Sequence, residues 1–337
     1  MFFPPPRRER SFTKAIFVTL ASTIFGISLA LNLYLLLFSS LLSTSAGTTF
    51  TEQIVVDGDA SGKVAIIPID GMITDETAAT VRRLIRTIER DDTIKAVVVE
   101  VETPGGGVTP SDEIFHRLQA LKKAKSDKNP SFQLVVSMGG LSTSGGYYLS
   151  AGADYIFAQP TTLTGNIGVL MPRFNLSGLM QKHGVNETTI TAPENGFKNA
   201  GSMFSPESPK DTQYLQGIID QAYNRFKGIV EKGRGAKLKA PIAEIANGKV
   251  YTGQEAKDNG LVDDIGYLDD AYNYAAKQAG LSNPMIVRFQ RRPSLMEQFL
   301  ANSNLPQPSA SNINLQIDAN LIDHLTSPRL LYLWRGE

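Results

Sequence analysis

The stretch FQLVVSMGGLSTSGGYYLSAGADYIFA, residues 132–158, decides how this chain is read. It begins with a short apolar run closed by two glycines, the pattern of a buried strand. An apolar, helix-like run follows. Between the two stand three hydroxyls, Ser142, Thr143 and Ser144, and directly after them Gly145 and Gly146. One serine is enough to cap a helix, whereas each glycine in a first turn costs about 0.5–1 kcal/mol relative to alanine. The pair therefore points to something that approaches the backbone closely. A substrate at a serine on a helix N-terminus needs such access, because bare N–H groups and the positive dipole end favour developing negative charge.

Upstream of this stretch, KVAIIPIDGMI (63–73) reads as a second buried strand and ETAATVRRLIRTIERD as a helix. IKAVVVEVETPGGGV follows, a strand over Ile94–Val101 that ends in a glycine turn. SDEIFHRLQALKKAK is an amphipathic helix capped by Ser111, with Ile114, Leu118 and Leu121 on its apolar side. Strands alternating with helices predict an α/β fold of parallel strands and helical crossovers, in which ligands sit at the carboxyl ends of the strands. Both glycine-rich loops lie at such ends. Downstream come short strand and turn signals, a short helix in NLSGLMQKHGV, a Gly- and Pro-broken loop over 191–209, and a long helix near 209–232. Residues 291–320 are looser, rich in Ser, Asn, Pro and Gln.

The 337 residues carry 33 Lys plus Arg against 33 Asp plus Glu, so no basic footprint for nucleic acid is expected. Cysteine is absent, which removes disulfides, thiolate nucleophiles and cysteine-ligated metals. From Ala15 to Leu42 there is no charged residue, a run longer than the roughly 30 Å of a bilayer core requires. Arg7, Arg8, Arg10 and Lys14 precede it, so the positive-inside rule leaves the N-terminus in the cytoplasm and the rest outside. A cleaved signal peptide has a shorter apolar core, of about 7–15 residues. The expected organisation is a cytoplasmic head (1–14), a membrane span (15–42), a linker (43–62), a catalytic domain (63–285) and a C-terminal extension (286–337).

For acyl transfer by serine, the three histidines are poorly placed: His116 is mid-helix, His183 precedes a helix-ending glycine and His324 is near the tail. A lysine whose pKa is lowered by burial replaces histidine in some enzymes. Lysines are numerous, and residue physics alone selects none, although Lys198 stands out in NGFKNAGSMF, a loop with few other charges. Ser137, Ser142 and Ser150 compete with Ser144 as nucleophile, and the glycines after Ser144 favour it. The TPGGGV turn (103–108) lacks the Gly-Lys-Ser/Thr of a phosphate loop. It is either a plain tight turn or a source of backbone donors for an oxyanion, from Gly105 or Gly106. The acidic pairs Asp263-Asp264 and Asp269-Asp270 read as solvated charge beside helices, and no metal site or cofactor is expected.

Taken in order, VETPGGGV, SMGGLSTSGGYYLSAGADYIFA, TGNIGVL, GFKNAG and GKVYTGQEAKDNGLVDDIG resemble the bacterial signal peptide peptidase A family in its short, single-repeat form. The resemblance covers about residues 63–275. It implies a fold similar to the Clp protease subunit and the crotonases. It further implies a membrane-anchored serine endopeptidase of the bacterial inner membrane, acting on cleaved signal peptides and other unstructured peptides. Ser144 matches the family nucleophile and Lys198 its general base, while Gly105, Gly106 and Gly145 match the oxyanion segments. Where the family usually has serine in TGSIGV this chain has Asn166, whose amide oxygen can still accept from and orient the lysine. Long members hold two copies of the domain, which implies for this single copy a homo-oligomeric ring with the dyad shared between neighbours. A crotonase-type acyl-CoA enzyme or a non-catalytic membrane scaffold are the alternatives on the same fold.

Overall fold

In the computed structural model, which describes residues 12–44, 50–194, 196–291 and 329–336, the apolar runs become the middle of one sheet. The chain begins with α1 (Phe12–Thr44), whose Ile16–Leu35 segment of 20 residues has a mean hydropathy of 2.0 and no buried side chain, long and apolar enough to cross a membrane. This helix belongs to one unit, and residues 52–290 with the C-terminal strand belong to another.

In chain order the second unit runs β1 (Phe50–Val56), β2 (Asp59–Asp70), α2 (Asp75–Arg90), β3 (Ile94–Thr103), β4 (Gly105–Gly107), α3 (Val108–Lys128), β5 (Gln133–Thr143), α4 (Gly145–Ser150), β6 (Tyr155–Ala158) and β7 (Leu163–Gly165). It continues with α5 (Ser177–Lys182), α6 (Pro209–Arg234), α7 (Ile242–Ile245), β8 (Val250–Thr252), α8 (Gly253–Asp258), β9 (Asp264–Ile265), α9 (Leu268–Gln278), β10 (Pro284–Arg291) and β11 (Leu331–Leu333). The main sheet is ordered β1-β10-β2-β3-β5-β6-β9, with β7 beside β5 and β8 beside β7. Pairing is parallel from β10 through β2, β3, β5 and β6 to β9, as α/β crossovers require, and antiparallel between β7 and β8. On one face Val64, Ile66, Ala96, Val98 and Val135 pack with Ala271 and Ala275 of α9. Alternate residues such as Ile67, Val97 and Val99 are equally buried on the other, so strands covered on both faces read as unbroken apolar runs.

Four expectations change. Residues 50–56 and 59–62, read as linker, are strand: β1 is an edge strand exposed along nearly all its length, and it therefore shows no apolar face to a sequence reading. The extension does not begin at 286, because β10 inserts between β1 and β2 and buries Ile286, Val287 and Phe289. Ser111 is not the cap of α3. That helix starts at Val108 with Pro110 in its first turn, where proline is tolerated, and the Ser111 hydroxyl donates back to the Gly107 carbonyl at 2.8 Å. Asp263 is not solvated either. The fully buried Arg234 guanidinium holds both its oxygens, at 2.9 and 3.0 Å, and the Ile156 amide donates to it at 2.8 Å. Burial pushes that carboxyl up, and the Arg234 bonds and charge outweigh it, holding it below the usual carboxylate range. The head at 1–11, most of the extension (292–328) and His324 lie outside the described residues.

Candidate active site

β3 and β5 are parallel neighbours, and they deliver the two glycine-rich loops to the same end of the sheet. The pairing brings Thr103 opposite Ser142 and the chain then turns into α4 at Ser144. Ser144 holds the helix N-cap position, yet its side chain makes no capping bond. Its backbone sits at φ 53°, ψ −110°, a region that costs a non-glycine residue on the order of 1–3 kcal/mol. The residue is 1% exposed and its Oγ has no hydrogen-bond partner. A serine kept strained, buried and unbonded is held for something other than capping.

The surroundings over-determine this conformation. The Ser144 amide donates to the Gly165 carbonyl at 2.8 Å, and the Ser144 carbonyl accepts from Tyr148 at 2.8 Å. Glu102, the penultimate residue of β3, accepts from the amides of Gly140 (2.6 Å) and Leu141 (3.0 Å) and so fixes β5, the strand that leads into Ser144. The buried Thr103 hydroxyl donates to the Gly71 carbonyl, and its oxygen accepts from the Gly105 amide at 3.0 Å.

The glycines are required by how closely these loops interlock. A Cβ on Gly146 would lie 2.6 Å from Thr103 Cγ2, and one on Gly145 would lie 2.6 Å from Ser111 Oγ and 3.2 Å from Gly105 Cα. Gly105 adopts φ 99°, and a Cβ there would overlap the Tyr332 carbonyl oxygen while standing 2.8 Å from the Gly145 nitrogen. The turn is pinned from outside by Ile73, whose amide donates to the Gly105 carbonyl and whose carbonyl accepts from the Gly107 amide, both at 2.9 Å. The expectation for Gly105 as an oxyanion donor is corrected: its N–H is already given to Thr103. The Gly145 amide lies beside the same turn, and Gly106 is the residue of the turn that pairs with Tyr332 of β11.

Among the rival serines, Ser150 donates to the Gly146 carbonyl at 2.7 Å, and Ser137 and Ser142 are buried within β5. Ser142 Oγ is also unbonded, but only Ser144 adds the positive φ. Asn166 is the other described non-glycine residue with positive φ (51°), a conformation asparagine tolerates. It follows Gly165, the residue that holds Ser144, and it is fastened by its amide to the Lys249 carbonyl (2.8 Å) and by Nδ2 to the Gly248 carbonyl (2.7 Å). Lys198 lies in the turns between α5 and α6, exposed, and no hydrogen bond joins it to Ser144 within one chain. His116 is exposed on α3, and His183 is exposed at the C-cap of α5. Glu102, Thr103 and Ser111 are the site-forming residues that sequence reasoning missed, although the first two directly precede the glycine turn.

Residues 123–282 match the model of peptidase family S49, and residues 59–164 match that of Clp protease. A putative signal peptide peptidase SppA of Enterococcus faecium is 32% identical over 71% of this chain and 70% of its own length. A putative protease of Methanocaldococcus jannaschii is 38% identical over 61% of this chain and 63% of its own. Protease 4 of Salmonella typhi is 35% identical over 72% of this chain, which spans only 39% of that longer protein.

Proposed function

The chain belongs to peptidase family S49 and is a serine peptidase, and on that footing we propose that Ser144 and Lys198 form its catalytic dyad. The observation that carries the reading is Ser144 itself: strained, buried, unbonded, and followed by a glycine whose amide faces the 105–107 turn. Ser144 Oγ adds to the carbonyl carbon of a peptide bond while Lys198 takes its proton. Gly106 and Gly145 N–H groups stabilise the oxyanion, the amine leaves with the proton, and water then frees the acyl group from Ser144. Asn166 orients the lysine.

Substrates are peptides in extended form, signal peptides released in the membrane among them, and no metal or nucleotide takes part. The apolar Ile16–Leu35 segment anchors the enzyme in the bacterial inner membrane, and the four basic residues before it keep the N-terminus cytoplasmic and the catalytic unit outside. An exposed Lys198 with no bond to Ser144 supports a dyad completed between copies, the serine of one subunit meeting the lysine of the next in a head-to-tail ring.

Mixing tests this. Ser144→Ala and Lys198→Ala subunits, each inactive alone, are dissociated and reassembled together. Random rings regain about a quarter of wild-type sites, since that share of junctions holds both intact residues. No recovery at all refutes the shared site.

A further inference from the structure

β5 and β7 end together. Their parallel register sets Leu141 beside Leu163, Ser142 beside Thr164 and Thr143 beside Gly165. One residue further along each strand stand Ser144 and Asn166, which among the described residues are the non-glycine positions with positive φ, 53° and 51°. The Ser144 amide donates to the Gly165 carbonyl at 2.8 Å, so the nucleophile and the amide assigned to the lysine leave the sheet as neighbours. Thr143 directly precedes the first of them, and its strand partner directly precedes the second.

Thr143 is completely buried, and its Oγ1 has no hydrogen-bond partner among the described residues. Burying an unbonded hydroxyl costs stability. Valine has the same branched shape and suits a strand equally well, so neither shape nor strand preference explains the oxygen. The other threonines nearby use theirs: Thr103 bonds Gly71 and Gly105, Thr162 donates to the Gly139 carbonyl at 2.6 Å and Thr164 to the Ser142 carbonyl at 2.7 Å. Ser142 also has an unbonded hydroxyl, but successive residues of a strand face opposite sides. Its oxygen stands 3.3 Å from the position of a Cβ on Gly146, within the packing of α4 on Thr103.

A neutral lysine amine has one lone pair and two N–H groups, and in a site closed to water each needs a partner. In the dyad the lone pair accepts from Ser144 Oγ. One N–H goes to Asn166 Oδ1, the acceptor left after Nδ2 is given to the Gly248 carbonyl at 2.7 Å. We propose that Thr143 Oγ1 takes the second N–H, so that Thr143 and Asn166 together hold the Lys198 amine with its lone pair toward Ser144. This rests on the Ser144–Lys198 dyad, and Thr143 acts through the lysine as a positioning residue. When the Ser144 proton moves to the amine, Thr143 and Asn166 keep two N–H groups of the ammonium, and the third delivers its proton to the departing amine of the substrate.

The full-length, detergent-solubilised wild type is compared with Thr143→Val, Thr143→Ser, Lys198→Ala and the Thr143→Val, Lys198→Ala double variant. Hydrolysis of a fluorogenic peptide, the rate of fluorophosphonate labelling at Ser144 and the melting temperature are measured. Valine is expected to lower kcat about tenfold or more with KM little changed, the scale of one lost hydrogen bond to a charged group, while the melting temperature holds or rises. Serine restores the oxygen and should recover most of kcat. With Lys198 already removed, adding Thr143→Val should not slow the residual labelling further, because its route to Ser144 is gone. Wild-type kcat in the valine variant overturns the assignment. A fall in kcat that comes with a lowered melting temperature makes Thr143 structural and overturns it too, as does a further drop in labelling in the double variant. The premise has its own readout: Lys198→Ala hydrolysing at the wild-type rate removes the base, whereas inactive Lys198→Ala beside fully active Thr143→Val removes Thr143 alone.

Discussion

Glu102 Oε2 accepts the Gly140 amide at 2.6 Å, a charged hydrogen bond across two neighbouring parallel strands, four residues before the strained Ser144. The second carboxylate oxygen takes Leu141 at 3.0 Å, so both lone-pair systems face N–H groups. Glutamine at 102 would turn one NH2 toward an amide N–H. Glu102→Gln is therefore expected to lower kcat about tenfold or more, the worth of one lost charged hydrogen bond, with KM little changed. The rate of fluorophosphonate labelling at Ser144 should fall in step. Labelling at the wild-type rate removes Glu102 from the positioning of Ser144.

Gly146→Ala puts a methyl 2.6 Å from Thr103 Cγ2. Overpacking of this kind costs about 1–3 kcal/mol. Thr103→Ser deletes that methyl and keeps the hydroxyl that bonds Gly71 and Gly105. The double variant should regain most of the stability and activity lost by Gly146→Ala alone, as melting curves and peptide hydrolysis would report. No rescue means the clash lies elsewhere.

Arg234→Met leaves the Asp263 carboxylate with Lys237 (2.8 Å) as its remaining cation and should destabilise the fold by up to about 3 kcal/mol, the lower end of the cost of breaking a buried pair on one side. Asp263→Asn in the same chain should recover part of it. The pH dependence follows from a folded-state pKa held below the ordinary value near 3.8. The pair's contribution is complete above that value and is lost as the pH falls through the lower folded one. Melting temperatures of wild type should therefore drop below about pH 4, and Arg234→Met should lack that part of the drop.

Lys198→Arg should abolish turnover, because a guanidinium stays protonated where a lysine amine can act as base. The protein should stay folded, since the side chain is exposed in the single chain. Arginine supporting near wild-type hydrolysis would sink the base assignment.

Asn166→Leu should lower kcat by removing an acceptor for the lysine. Asn166→Ser should keep activity while lowering the melting temperature, because it loses the Nδ2 bond to Gly248 and places serine at φ 51°. A leucine variant with unchanged kcat takes Asn166 out of the site.

Much of the scaffold was legible in the residues. The apolar runs at 63–73, 94–101 and 132–138 were strands because strands buried on both faces leave no alternation, and the glycines between them marked the loops that meet at one end of the sheet. The uncharged run before residue 43 was likewise plain, since a membrane-length helix is a matter of composition and length. What local pattern could not reveal was everything that depends on partners far along the chain. β1 is an exposed edge with no apolar face, and β10 is recognisable as core only beside β2. Asp263 looked solvated until Arg234, 29 residues away, was brought against it. Gly145 and Gly146 signalled close approach, but only tertiary packing disclosed what approaches: Thr103, Ser111, Gly105 and, from the far end of the chain, Tyr332. Side-chain chemistry and short-range periodicity are local properties of a sequence. The meeting of two backbones across a sheet is not, because it is decided by which long-range pairings bury the most apolar surface while satisfying every buried N–H and C=O.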